Sequence, residues 1–112
     1  MKFLLLIYEN EKRFSQGFDP AEMGEYQAFG ERHRAAIQGG NALQPTAAAA
    51  TVRVRNGQAA TTDGPFAETK EQLGGYFLVE AANRDEAAAM AAQIPAARFG
   101  GVEVRPIQTF GK

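Results

Sequence analysis

The chain has 112 residues, 12 basic and 13 acidic, with a formal net charge of −1, one histidine and no cysteine. This length supports one domain with one core, and the missing cysteines exclude disulfides, thiol catalysis and the usual zinc sites. The near-neutral, interspersed charge lacks the basic footprint of a nucleic-acid binder, so no nucleic-acid partner is expected.

The opening MKFLLLIYE is too short for a signal-peptide core and runs straight into acids without a small-residue cleavage site. It reads as a strand, with no membrane segment and a cytoplasmic location expected. Phe3, Leu5 and Ile7 point one way, and Leu4, Leu6 and Tyr8 the other. A strand apolar on both faces must be covered on both. Helices of the same chain cover one face; a second copy of the chain is the economical cover for the other.

Glu9 to Phe18 is polar without a period and reads as a loop. Asp19-Pro20-Ala21-Glu22 then starts a helix, with Asp as N-cap and Pro at the first helical position. At 100° per residue Tyr26, Phe29, Gly30, His33, Ala36 and Ile37 share a face, with Glu22, Glu25, Arg32 and Arg34 mostly away from it. Gly39-Gly40 reads as the helix end. Leu43-Gln44-Pro45 reads as a short edge piece, and Ala47 to Ala50 as a connection, being too short to nucleate a helix.

Thr51 to Arg55 and Gln58 to Thr62 flank Asn56-Gly57, a strong two-residue hairpin signal. The register sets Val52 against Thr61, Val54 against Ala59 and Arg53 against Ala60. The hairpin delivers Asp63 into TTDGPFAETKEQLGG, residues 61–75. There Asp63-Gly64-Pro65 is a turn, Phe66 an anchor expected to be buried, Ala67 to Gln72 one helical turn, and Gly74-Gly75 its end. Tyr76 to Glu80 is a strand with Tyr76 and Leu78 opposite Phe77 and Val79. Asn83 to Ile94 is a second helix, with Asn83 as cap, Glu86 at the capping-box position and Pro95 as stop. Gly101 to Ile107 is the last strand, with Val102 and Val104 on one face and Glu103, Arg105 and Ile107 on the other. The order β-α-β, hairpin, β-α-β implies an α+β class: a split βαβ sandwich with an inserted hairpin.

Asp63-Gly64-Pro65-Phe66-Ala67-Glu68-Thr69-Lys70-Glu71 is the run for which the DGPFAETKE family is named. Gln72 to Tyr76, Ile94 to Arg98 and Val102 to Pro106 extend the likeness over most of the chain. The chain thus resembles that family, a branch of the YCII-related proteins. The resemblance implies a ferredoxin-like α+β fold dimerised through its sheets, forming a dimeric α/β-barrel. It also implies a His and an Asp as a suggested active site. Relatives joined to sigma-factor regions imply a rival role in transcription.

Asp63 is either a turn cap or a carboxylate at a strand end, suited to general-base work. His33 is either a core histidine bonded to a carbonyl or the partner of Asp63. Glu68, Lys70 and Glu71 are a solvated face on one helical turn, or Glu68 and Lys70 are, with Phe66 and Tyr76, ligand contacts. Glu103 and Arg105 lie two apart on one strand face, free to pair with each other, a dimer mate or an anionic ligand. No metal-ligand spacing, P-loop or Rossmann glycine pattern is present, so no metal or cofactor is expected. The leading expectation is a small polar molecule bound in a helix–sheet cleft near Asp63, with acid–base chemistry as the form of any enzymatic activity. The alternative is a non-catalytic interaction module.

Overall fold

In the computed structural model, which describes residues 1–111, six strands and two α-helices follow one another along the chain. They are β1 (Lys2–Glu9), α1 (Pro20–Arg32), β2 (Ile37–Ala42), β3 (Ala50–Arg55), β4 (Gln58–Asp63), β5 (Gln72–Glu80), α2 (Arg84–Ala91) and β6 (Gly101–Pro106). Short 3-10 turns occupy Glu11–Phe14, Thr46–Ala48 and Pro95–Arg98. A four-stranded sheet has the order β2-β5-β1-β6 with antiparallel neighbours, and β3-β4 is a separate two-stranded ribbon. The sheet is open. No helix of the described residues is long and apolar enough to cross a membrane.

The alternation read in β1 is realised: Phe3, Leu5 and Ile7 are buried while Leu4, Leu6 and Tyr8 are half-buried on the other face. The inward row joins Phe29, Val79, Ala87, Met90, Ala91 and Ile94 in the core. Burying each large side chain there contributes about 1.5–3 kcal/mol. The helices supply that core from one side of the sheet only. For α2 the N-terminus forms as expected: Glu86 N–H donates to Asn83 Oδ1 at 2.8 Å, and Ala82 N–H donates to Glu86 Oε1 at 2.9 Å. The helix closes at Ala91, and Ile94 caps the 3-10 turn that Pro95 begins.

Five expectations are corrected. Helix α1 does not run to Gly39-Gly40; it ends at Arg32, where His33 leaves the helix at φ −109° and ψ 22°. Ile37–Ala42 instead pairs with β5 as the sheet edge, and Glu80 N–H donates to Ala36 O. Strand pairing satisfies a whole row of backbone groups, which outweighs the helix propensity of a few residues. Leu43-Gln44-Pro45 is therefore not the edge but the exit from it. The stretch Ala67 to Gln72 forms no helical turn, and Gly74-Gly75 lies inside β5. Ala67 to Glu71 are all exposed, so no buried side of a helix forms there. Its backbone is held instead by Gln72 Nε2, which donates to Ala67 O at 3.0 Å and Thr69 O at 3.1 Å. Phe66, finally, is not docked: it is 77% exposed.

The hairpin forms in the register read from Asn56-Gly57, with Val52 opposite Thr61, Arg53 opposite Ala60 and Val54 opposite Ala59. Asn56 and Gly57 both hold positive φ, 55° and 76°. A β-branched residue is strained there, so Gly57→Val should cost about 1–2 kcal/mol. Urea unfolding measures it; an unshifted midpoint would show that the turn does not require that geometry.

Candidate functional site

Helix α1 touches the sheet closely at one end, where the Phe29 and Phe77 rings lie 5.1 Å apart. Toward its N-terminus a cleft of about 700 Å³ opens between α1, the segment after β1, and the inner face of β1, β5 and β2. Glycines make the room. Gly40 and Gly75 line the floor: a Cβ on Gly40 would clash at 2.7 Å from Tyr76 O, and one on Gly75 would make a tight contact at 3.1 Å from Asn41 O. The strands therefore run close together with a bare patch beneath the helix. Phe14, Phe18, Met23, Tyr26 and Phe77 wall the space.

The charged centre of the cleft comes from residues not singled out in the sequence. Glu9 continues the inward row of β1, and Glu22 lies on the first turn of α1; they are 7% and 9% exposed. Arg13 reaches both, donating through Nη1 to Glu9 Oε1 and through Nη2 to Glu22 Oε1, the latter at 2.5 Å. Its guanidinium also lies 3.7 Å from the centre of the Phe99 ring. Two carboxylates share one cation in a largely dry setting. Burial pushes the Glu9 carboxyl above the usual range; Arg13 opposes that and Glu22 reinforces it. Burial, then Glu9 and Glu22, push the neighbouring Tyr26 phenol up to about 12. A signal for both acids existed. Glu9 shares strand parity with Phe3, Leu5 and Ile7, and Glu22 stands four and seven residues before Tyr26 and Phe29. The expectation that Glu22 faces away from the apolar stripe is thus reversed.

The sequence-predicted residues are spread over three places. His33 caps the far end of α1, half-buried, with Nε2 donating to Gln93 Oε1 at 2.8 Å and its ring 4.9 Å from Phe29. Asp63 ends β4, exposed, and its carboxylate accepts no hydrogen bond among the described residues, from the turn or from His33. They flank opposite ends of the sheet. His33 precedes the residue pair Ile37 and Val79, whereas the hairpin joins β2 and β5 near Ala42 and Gln72. Val79 and Gln72 lie about 23 Å apart along β5 at 3.3 Å per residue. The pair does not form within one chain, and Asp63 does not line the helix–sheet cleft.

Phe66 borders a second hollow with Pro65, Tyr8 and Leu73, and Arg53 lies 4.9 Å from the centre of its ring. Glu68 and Lys70 are exposed, without a hydrogen bond or ion pair among the described residues. Tyr76 borders the helix–sheet cleft and its hydroxyl accepts from Asn41 Nδ2 at 2.9 Å. Glu103 and Arg105 pair with each other: Nε and Nη2 donate to Oε2 at 2.8 and 2.5 Å, while Tyr8 Oη donates to Oε1 at 3.4 Å. Among the described residues no three His, Asp or Glu side chains converge as metal ligands.

Three comparisons place this geometry among known proteins. A family model described as the YCII-related domain matches residues 1–111. An uncharacterised protein of Rhizobium meliloti (strain 1021) is 47% identical over 70 residues, which cover 61% of this chain and 56% of that protein. The chain therefore matches little more than half of that relative's length. Among solved structures, the fold is similar to that of 5-chloro-2-hydroxyhydroquinone dehydrochlorinase from Burkholderia phenoliruptrix AC1100, in complex with 2,5-dihydroxybenzoquinone. The TM-score is 0.54 at 18% identity, over 96% of this chain and 94% of that one. At that identity the likeness is one of fold.

Proposed function

We propose that this chain, which belongs to the YCII-related domain family, binds a small molecule in the cleft beneath α1 and moves a proton there through Glu9. One observation carries the reading: two buried carboxylates share a single guanidinium at the wall of an aromatic-lined cleft. A carboxyl held above its usual range is better matched to proton transfer near neutral pH than a solvated one. Arg13 and Glu22 position Glu9. The fold neighbour is named for work on a hydroxyhydroquinone, and a flat ring of that size is the kind of body this cleft would accommodate. A thermal-shift screen followed by a soaked crystal tests the site. The expected result is a ligand seated between Ile7, Tyr26 and Phe77, lost or weakened about tenfold in Glu9→Gln. Ligand density only in the hollow beside Phe66 would move the function to the motif loop.

Our reading also places the chain in the DGPFAETKE branch, on the literal run Asp63 to Glu71, and takes the order β2-β5-β1-β6 as the ferredoxin-like plan. It includes a second copy of the chain on the outer face of the sheet. Leu4, Leu6, Tyr8 and Leu78 lie half-buried there, on the face opposite the helix-covered core. The chain is also flat and spread, 47 × 46 × 18 Å with a radius of gyration of 16.0 Å, against about 13 Å for a compact domain of this length. Sedimentation at micromolar concentration should give a homodimer, and Leu6→Asp a monomer. A monomeric parent protein would refute the pairing.

A further inference from the structure

We propose that the ligand of this cleft is an organic cation, a protonated amine carried on a flat apolar body. The inference rests on the cleft assigned above and adds the chemical class of what enters it. Glu9, Glu11, Asp19 and Glu22 line the cleft, and among the described residues no Lys, Arg or His does. Some of that acidity is already engaged. Glu11 accepts from Thr46 N–H at 2.8 Å and from Thr46 Oγ1 at 2.7 Å, and Asp19 Oδ1 accepts from Ala21 N–H at 3.0 Å. Arg13 satisfies only Oε1 of Glu9 and Oε1 of Glu22.

The two Oε2 atoms are the second observation. Neither accepts a hydrogen bond from the described residues, yet no fully buried side-chain oxygen or nitrogen there lacks a partner. Both oxygens therefore reach open space, and for residues this buried that space is the cleft they line. Each needs a donor. An ammonium brings three N–H donors and no acceptor, so it fits two adjacent acceptors, and its charge offsets the second carboxylate that Arg13 leaves uncompensated. The rings of Phe14, Phe18, Tyr26 and Phe77 suit the rest of such a molecule, since aromatic faces attract cations and bury flat bodies. An anionic ligand would meet four carboxylates and no cationic side chain among the described lining residues. A bare metal ion would lack three converging side-chain ligands.

Benzylamine, benzyl alcohol and benzoate share one body and differ in charge. Each is titrated into the intact protein at neutral pH and followed by NMR at the amides of Ile7, Tyr26 and Phe77. Benzylammonium should bind there about tenfold more tightly than the alcohol, and benzoate should leave those signals unmoved. Glu9→Gln and Glu22→Gln should each remove most of that preference, the affinity for the amine falling towards that for the alcohol. The two variants keep shape, and an unchanged amide spectrum elsewhere verifies their fold. Equal binding of amine and alcohol, or tighter binding of benzoate, would overturn the inference while leaving the cleft as a small-molecule site. Silence of all three probes in the cleft would also overturn it, and the thermal-shift screen would then decide whether the site itself stands.

Discussion

Arg13→Met should destabilise the protein by about 3 kcal/mol at neutral pH, with the loss shrinking as the solution is acidified. Removing one partner of a buried ion pair costs about 3–5 kcal/mol because the other charge is left uncompensated. The Arg13 side chain is 24% exposed, which puts the expected cost at the low end. Methionine keeps an apolar stem against Phe99, so the change isolates charge more than packing. The direction with pH follows from the carboxyls. In the parent protein burial already holds Glu9 above its ordinary value. Without Arg13, the cation that opposes this burial is gone, and Glu9 is held further above its unfolded value. A group raised in this way contributes stability below its unfolded pKa and loses it as pH rises through the folded one. The gap between variant and parent should thus be wider at pH 8 than at pH 5, as melting curves at both values can establish. Adding Glu22→Gln should recover a large part of the loss, since one carboxylate fewer remains unpaired. A gap that is the same at both pH values would show that the guanidinium acts through packing alone.

Gly100→Ala is the second change with a large expected effect, about 3 kcal/mol. A Cβ on Gly100 would stand 2.0 Å from Tyr8 O and 2.9 Å from Glu9 Cα. Both are backbone atoms, so a rotamer change cannot relieve the clash and strand β1 must move. It would move at Glu9, the residue that Arg13 holds, so ligand binding in the cleft should fall along with stability. Gly101→Ala is the control: a Cβ there meets nothing within 4 Å, and the cost should stay under about 1 kcal/mol. Guanidinium unfolding with matched m-values separates the two. Equal midpoints for both variants would mean that the approach of Gly100 to Tyr8 is not a constraint.

Much of this protein was determined locally, by residues that signal to their near neighbours. Asp19-Pro20 begins α1 and Asn83 with Glu86 begins α2, because a side-chain oxygen can reach a free N–H a few residues away in any context. Asn56-Gly57 sets the hairpin register because positive φ at both positions admits few residues. The two-residue period of β1 identifies its core face. Three matters were decided only by tertiary structure. Where α1 stops depends on the edge of β5, more than thirty residues away, offering backbone partners to Ile37–Ala42. The distance between His33 and Asp63 depends on which end of the sheet carries the hairpin. The charged centre depends on Arg13, in a segment without periodicity, reaching across to Glu22 on α1. Capping, turns and strand parity act over a few residues of chain, so sequence displays them. Pairing across a sheet and the desolvation of a carboxylate depend on what arrives from elsewhere, and here that is the single guanidinium of Arg13 between Glu9 and Glu22.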